Sequence, residues 1–568
     1  MSGRVSRRRF VRTTLPGGVA LLLAACAAPN AATTSGSTGI TPPASSPSGS
    51  TSTTVPSTPA SAARSSAGPS TTSAAQPTAG AARTATLPSY LPLQPVTADF
   101  PADVDGLEAG YNTYPKDPPA SITGTPGKGS DVEVMVWNPG PALTSPDQNA
   151  LWKALNTRIG ANLKLNAVAV PDYQSKLATV MASGSLPDIL YIPNGSPIDH
   201  LLDFAHSSCT DLTPFVAGDA IKNYPNLANI PTRSWRAGLL GSRTYGLPVP
   251  SAPFQWALWV HQDLMDQVGA TQPATGDDFK HLLQQLTQPT NNVYGIVMES
   301  TNAFGVTAGL YPAIFGAPNN WRLDPSGQLT RSYETPEYRA AIAYAQDLYA
   351  AGVYAPDTLT STNATGRAAF SSRKVAVRWD GYDGAGAIQF LNMARTLTPP
   401  STLRRIRPFA HDGSAPTYYL ANGNFGFHLF KKASPDRINE LLGILNFFAA
   451  PFGTQEYLMT HYGLPDVHYT PDASGNPTLT QQGQADVSPV WQYIASPASV
   501  LYYPQAPDFV PVAQADERAW LAAGVDDPTL GVYSNTASAH GPGLDQGFND
   551  GVADIVAGRR PPGDLDQL

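Results

Sequence analysis

The sequence predicts an α/β protein of two lobes, and two observations carry that expectation. From Asp131 to Ile192 strand-like and helix-like segments alternate with short links, and the order βαβαβ implies a parallel sheet covered by helices. The same alternation recurs after Pro250, and the roughly 440 residues from Ser130 onward suffice for two cores.

In chain order, DVEVMVW (Asp131–Trp137) reads as the first strand, and Ser145-Pro146 as an N-cap with proline at the first helical position of a helix running to Gly160. NLKLNAVAV (Asn162–Val170) reads as the second strand. Tyr173–Ser183 then sets Leu177, Val180 and Met181 at helical spacing, and Asp188–Ile192 is the third strand. Ligands of such sheets sit beyond the carboxyl ends of the strands, which here points to Trp137 and Asn194, with Ser196 just after. Farther on, Thr335-Pro336 opens a helix with Tyr338, Ile342, Ala345 and Tyr349 on one face, stopping at Gly352. Ser434-Pro435 opens another through Phe448, ended by Pro451. No repeat of solenoid period is present.

Ahead of this body, Leu15–Ala25 is an apolar run of about eleven residues, too short for the ~20 a membrane span needs. Arg7, Arg8, Arg9 and Arg12 precede it and small residues end it, the layout of an export signal. SRRRFVR (Ser6–Arg12) resembles the twin-arginine export motif, and Leu23-Ala24-Ala25-Cys26 resembles a lipobox, in which Cys26 would carry lipid. The layout expected is a signal peptide over 1–25, a lipid-anchored Ala/Ser/Thr/Pro linker over 26–95, and an extended lead-in over 96–130. The linker cannot bury enough apolar surface to offset its ordering entropy, so disorder is expected there. A coil of ~70 residues has a mean reach of about 45 Å.

The chain carries a formal charge of −8, and the signal holds five arginines and no acid, so its removal leaves the body more acidic still. That opposes nucleic-acid binding, whose affinity comes largely from Lys and Arg. Cys209 is the only cysteine besides Cys26, so no disulfide forms once Cys26 is acylated. G-x-S-x-G, H-E-x-x-H, C-x-x-C and Walker-type loops are all absent, and the nine histidines lack metal-ligand spacing. No catalytic group, metal site or cofactor is therefore expected. Paired carboxylates need only spatial proximity, so a secreted glycoside hydrolase or lyase stays open as an alternative.

Several phrases in fixed order carry a family resemblance: DYQSKLATVMASGSLPDILYI (Asp172–Ile192), CTDLTPFV (Cys209–Val216), KNYPN (Lys222–Asn226), RTYGLPVP (Arg243–Pro250) and HQDLMDQVGATQPATGDDF (His261–Phe279). Tyr344–Asp357 and Ser434–Tyr469 extend it, so that it runs from about Asp131 to about Gly483. Together they resemble the carbohydrate-type extracellular solute-binding lipoproteins of ABC importers, in the long-chain branch associated with oligosaccharides. Some members of that branch carry an acidic Ca²⁺ loop after the first helix of the second lobe. LTQPTNNVYG (Leu286–Gly295) has no carboxylate there, and Ca²⁺ wants acidic oxygen ligands.

The resemblance implies a two-lobed periplasmic-binding-protein-like fold (type II) with the ligand cleft between the lobes and hinge segments crossing between them. Lobe 1 would take 131–250, lobe 2 would take 251–421, the chain would return to lobe 1 over 422–470, and 471–568 would lie mainly in lobe 2. Ser251-Ala252-Pro253 and Asn422-Gly423-Asn424 have the composition of hinge bends. The implied partners are an oligosaccharide, ABC permease subunits, and the membrane through the lipid on Cys26. The protein would act as a monomer at the outer face of the cytoplasmic membrane. A sugar sensor without a transport role would use the same fold.

A pyranose presents apolar C–H faces and a rim of hydroxyls, so its site needs flat aromatic surfaces and planar polar groups. The chain holds nine Trp and 24 Tyr. Family position singles out Trp137, Asn194, Ser196, Gln255, Trp256, Asn302, Phe304, Trp379, Asp380 and Tyr382 as ligand-binding candidates. Each tryptophan has core packing as its alternative, and the polar, glycine-rich setting WDGYDG favours the cleft for Trp379. Asp380 would bond sugar hydroxyls or cap a turn. Trp259 alternates with Ala257 and reads as core, as do Trp235 and Trp321.

Overall fold

Burial alternates along the first half of β1 (Asp131–Asn138), with Val132 and Val134 inside and Asp131 and Glu133 outside, before Met135 and Val136 are both buried. The computed structural model describes residues 85–568, apart from 197 and 383. The expected signal peptide, Cys26 and most of the expected linker lie outside the described residues. Helix α1 (Ala150–Ile159) starts later than Ser145-Pro146 suggests. The Ser145 carbonyl instead accepts the Gln148 and Asn149 amides in a turn, and Asn149 caps the helix by accepting the Trp152 amide at 2.8 Å. Gly160, at φ 66°, ends it.

β2 (Asn162–Ala169) leads directly into α2 (Val170–Ser183), which buries Tyr173 and Leu177, and β3 (Ile189–Pro193) follows, buried throughout. After several short helices, β4 (Leu247–Pro250) completes the first pass through lobe 1. Lobe 2 then holds β5 (Trp256–His261), α3 (Gly276–Leu286), β6 (Tyr294–Val297), α4 (Pro336–Ala350), β7 (Val375–Gly381) and β8 (Leu403–Ile406). Thr275 and Asp278 form a capping box at α3, and Thr335 caps α4 ahead of its first-turn proline. The chain returns to lobe 1 as β9 (Asn424–Phe430) and α5 (Pro435–Phe448), the latter capped by Ser434. On α5, Leu441, Leu442, Ile444 and Leu445 are all shut from solvent, each contributing about 1.5–3 kcal/mol of burial.

The lobe 1 sheet has the order β2-β1-β3-β9-β4, and the lobe 2 sheet β8-β5-β7-β6. β1 runs parallel to β2 in unbroken register from Asp131 opposite Asn162 to Asn138 opposite Ala169, and parallel to β3. The three strands of the βαβαβ run are parallel as expected, and the full sheet is mixed because β9 enters antiparallel to both β3 and β4. The reason is its origin: β9 comes back from the other lobe rather than from a crossover helix. Gly426 permits the fit, since a Cβ there would lie 2.4 Å from the Ile192 carbonyl oxygen.

One core joins β1–β4, β9 and α5 and extends to Trp491, Ile494 and Ala495, so lobe 1 continues well past residue 470. Two further cores fill lobe 2, one around β5–β7, α3 and α4, the other around Trp259, Phe509 and Trp520. The crossing segments lie side by side, the Ser251 amide donating to the Gly423 carbonyl at 3.0 Å and the Ala421 amide to the Pro253 carbonyl at 2.8 Å. Gly423, at φ 75°, makes the bend.

Both ends of the described chain are docked. The Ser89 amide donates to the Gly218 carbonyl and the Leu91 amide to the Ala228 carbonyl, so the body begins inside the stretch expected to be linker. The lead-in pairs Gly110–Tyr111 with Leu501–Tyr502 and packs Tyr111 and Tyr114 around Phe452. At the other end, α6 (Val510–Ala522) belongs to lobe 2. Helix α7 (Asn535–Val556) then touches both lobes: near its start Ser538 Oγ donates to the Ile198 carbonyl of lobe 1 at 2.5 Å, and at its end Val552, Ile555 and Val556 are buried in lobe 2.

Candidate functional site

A cavity of about 900 Å³ opens where the lobes face each other. Asn194, just beyond β3, and Arg233 line it from lobe 1, Leu420–Asn422 from the crossing, and Gln255, Trp256, Asn302 and Trp379 from lobe 2. Asp545, Phe548 and Asn549 of α7 complete the rim.

The floor follows from strand register. Trp379 of β7 pairs with Leu258 and Gly381 with Trp256 of β5, so the two tryptophans fall diagonally on one face of the sheet. Their rings lie near-parallel, with centroids 6.5 Å apart and planes 18° apart. Both are half-buried, and Tyr418 Oη fixes the strand by donating to the Trp256 carbonyl at 2.7 Å. Gln255 stands exposed beside them. At the crossing, Asn422 Nδ2 donates to Asn194 Oδ1 at 2.9 Å, linking the hinge to the lobe 1 wall.

Five of the ten sequence candidates therefore meet in one cavity: Asn194, Gln255, Trp256, Asn302 and Trp379. The other five lie elsewhere. Trp137 packs against Tyr191 and Tyr493, with ring centroids 5.6 and 5.4 Å away, in the lobe 1 core. Ser196 sits in the turn after β3, its amide donating to the Pro193 carbonyl at 3.2 Å, and does not line the cavity. Phe304 is fully buried against Tyr349 and Tyr354. Ala303 and Phe304 hold φ of 46° and 58°, a left-handed turn that keeps Asn302 at the cavity while sending Phe304 inward.

Asp380 neither meets the cavity nor caps a free turn. Strand alternation points it to the face opposite Trp379. There Arg378 Nε donates to it at 2.6 Å and Arg367 Nη2 at 2.5 Å, all within a region where Arg378 and Asp380 are shut from solvent. Burial pushes the Asp380 carboxyl up, but the Arg367 hydrogen bond and the two guanidinium charges outweigh it and hold the group below the usual carboxylate range. Tyr382 is buried too, its hydroxyl held by Glu517 and by Glu108 Oε2. Burial first, and the Glu108 charge second, raise the Glu517 carboxyl well above its ordinary value.

This ion cluster serves the cavity indirectly. Arg378 Nη2 donates to Glu299 Oε1 at 3.0 Å, and Glu299 Oε2 accepts from Asn302 Nδ2 at 3.0 Å, so the buried charges orient an amide of the site. Glu299, Arg331, Asn363 and the α7 residues were not visible as site residues in the sequence. Asn363 had a local signal, the Thr362 cap that starts a helix just before β7. The α7 residues had none, since their stretch runs through Gly541, Pro542, Gly543 and Gly547 without apolar periodicity. Among the described residues no group of three or more His, Cys, Asp or Glu is placed to hold a metal ion. Among the same residues no helix is long and apolar enough to cross a membrane.

Residues 144–402 match the family model described as bacterial extracellular solute-binding protein. Over this stretch, a little under half of the chain, the sequence is similar to that family. It contains both tryptophans of the floor, and Asn194 and Arg233 of the facing wall. Lipoprotein LipO of Bacillus subtilis (strain 168) is 25% identical over 246 residues, covering 42% of this chain and 48% of LipO, so the match spans about half the length of that relative. The alginate-binding protein AlgQ2, solved without calcium ion, superposes with a TM-score of 0.56 at 13% identity, covering 78% of this chain and 94% of AlgQ2. An HMO-binding, ABC-transporter-associated solute-binding protein from Bifidobacterium longum infantis ATCC 15697 gives 0.55 at 13%, covering 77% and 94%. At these identities the likeness concerns the fold, which is the two-lobed periplasmic-binding-protein-like architecture.

Proposed function

We propose that this protein is the extracellular substrate-binding lipoprotein of an ABC importer, capturing an oligosaccharide between its lobes and delivering it to a membrane permease. The observation that carries this reading is the near-parallel pair Trp256 and Trp379, a flat apolar floor beneath a rim of amides in a cavity of about 900 Å³. Stacking on the floor and paired hydrogen bonds to the rim suit the two kinds of surface a sugar presents. The cavity lies at the upper end of the ~300–1,000 Å³ usual for small-molecule sites, room for several rings. The ligands named for two solved proteins of similar fold, alginate and HMO, agree with this class. The lipoprotein relative agrees with an anchor at Cys26, and the SRRRFVR motif with export by the twin-arginine route.

Binding acts as a population shift. A ligand touching both walls favours the closed arrangement by its differential affinity for it, and the closed shape is what docks on the permease. This reading needs no covalent step, and Glu299, the most buried carboxylate of the cavity wall, is committed to Arg378 and Asn302. Calorimetry with a panel of oligosaccharides, paired with small-angle scattering, tests the reading. Saturable binding with a smaller radius of gyration is the expected outcome. Binding without compaction would remove the closure mechanism, and steady release of shorter sugars would replace the carrier with a hydrolase.

A further inference from the structure

The charges around the cleft narrow the class of sugar. Among the described residues lining the cavity the only cations are Arg233 and Arg331, against the carboxylates of Glu299, Asp527 and Asp545. Neither arginine is free to take a ligand carboxylate. Arg233 turns both terminal nitrogens onto one oxygen of Asp526, Nη1 at 2.6 Å. Arg331 Nη2 stands 3.5 Å from Asp545 Oδ1, its guanidinium lying 4.9 Å above the Trp321 ring and 5.3 Å from that of Tyr333. The carboxylates other than Asp545 have partners as well, Glu299 from Arg378 and Asn302, Asp527 from Asn320 at 2.9 Å.

Eight carboxamides also line the cavity, among them Gln255, Asn363 and Asn549. A carboxamide donates and accepts, as a hydroxyl does, whereas a carboxylate only accepts and is best held by a guanidinium fork. We infer that the cleft selects uncharged glycans over uronate-bearing ones, and that Asp526 and Asp545 enforce the choice by neutralising its two arginines. A uronate reaching for either arginine meets the aspartate already there, and like charges brought together across an interface suppress the wrong partner. The Arg331 pair is half-exposed and the weaker of the two, so Asp545 acts mainly by staying close with its charge.

This inference rests on the carbohydrate reading, and one experiment separates their failures. The full chain is titrated calorimetrically with matched oligosaccharide pairs: gluco-, manno- and galacto-tetraoses, each against the corresponding tetrauronate. The expected result is at least tenfold tighter binding of the neutral member of whichever pair binds. A uronate that binds as tightly as its neutral partner, or tighter, overturns the inference and leaves the carbohydrate reading standing; no binding by any of the six overturns both. Asp545→Asn keeps the shape and removes the charge, and is expected to narrow the neutral-to-uronate ratio at least threefold. A ratio unchanged in a variant that unfolds at the parent temperature overturns the role given to Asp545.

Discussion

The two walls of the cleft are built from different materials. Lobe 2 presents both floor tryptophans, and behind them lies the buried cluster of Arg378, Asp380 and Glu299, charges locked to one another in the dry interior. Lobe 1 presents little more than Asn194 and Arg233, and behind them lies an aromatic cluster of Trp137, Tyr191, Tyr493 and the fully buried His428. On the proposed reading, ligand recognition would concentrate on the wall whose geometry is held by charge-assisted hydrogen bonds, and the other wall would close over it.

The largest effect should come from Arg378→Ala, which leaves the buried Glu299 without its counter-charge and Asp380 with Arg367 alone. A loss of about 3–5 kcal/mol is expected, read as a lowered denaturant midpoint; a small loss would mean that the lobe 2 wall does not depend on its ion cluster. The walls should next diverge with pH. Burial holds His428 neutral, with a pKa lowered from 6.5 to about 3. The unfolded chain takes up that proton near 6.5 and the folded one does not, so the stability of lobe 1 present above 6.5 is lost as pH falls toward 3, by up to about 1.4 kcal/mol per pH unit. Glu517 in lobe 2 runs the other way. Its raised pKa contributes stability that is full below its ordinary 4.5 and lost as pH rises through the folded value. Denaturation followed from pH 4 to 9 should show the acid-side loss disappear in His428→Leu and the base-side loss disappear in Glu517→Gln.

Affinity tests sharpen the same contrast. Trp379→Ala should weaken sugar binding at least tenfold, about 1.4 kcal/mol or more, with a smaller effect on thermal stability; the reverse pattern would make Trp379 a core residue. Asn194→Ala, on the sparse wall, should cost only a few-fold, under about 1 kcal/mol. A loss there equal to that of Trp379→Ala would erase the asymmetry.

Much of the scaffold was legible because its signals are local. The caps at Thr335 and Ser434 place α4 and α5, and the valine alternation places β1. The direction of β9 was not legible, because its neighbours β3 and β4 lie more than 170 residues upstream and no local pattern encodes which way a returning strand runs. Within the site, period-two alternation already held the answer for WDGYDG. If Trp379 faces the cleft, Arg378 and Asp380 face away. The fate of Phe304 was hidden in a left-handed turn, which non-glycine residues seldom adopt. The contribution of α7 was hidden by a glycine-rich stretch whose helical form depends on what it crosses.

That crossing constrains how the molecule can move. A hinge at Ser251–Pro253 and Asn422–Asn424 would by itself let the lobes swing apart freely. Near Ile198, though, the Leu201 amide donates to Tyr533 Oη at 3.0 Å, while Tyr533 Oη and Ser538 Oγ donate to the Ile198 carbonyl at 3.2 and 2.5 Å. The C-terminal run is in effect a door chain, fastened to the opposite leaf from the one that carries its anchor. Any swing that carries Ile198 away from α7 must first unfasten those three bonds, so the width of the opening is set at the end of the chain as well as at the hinge.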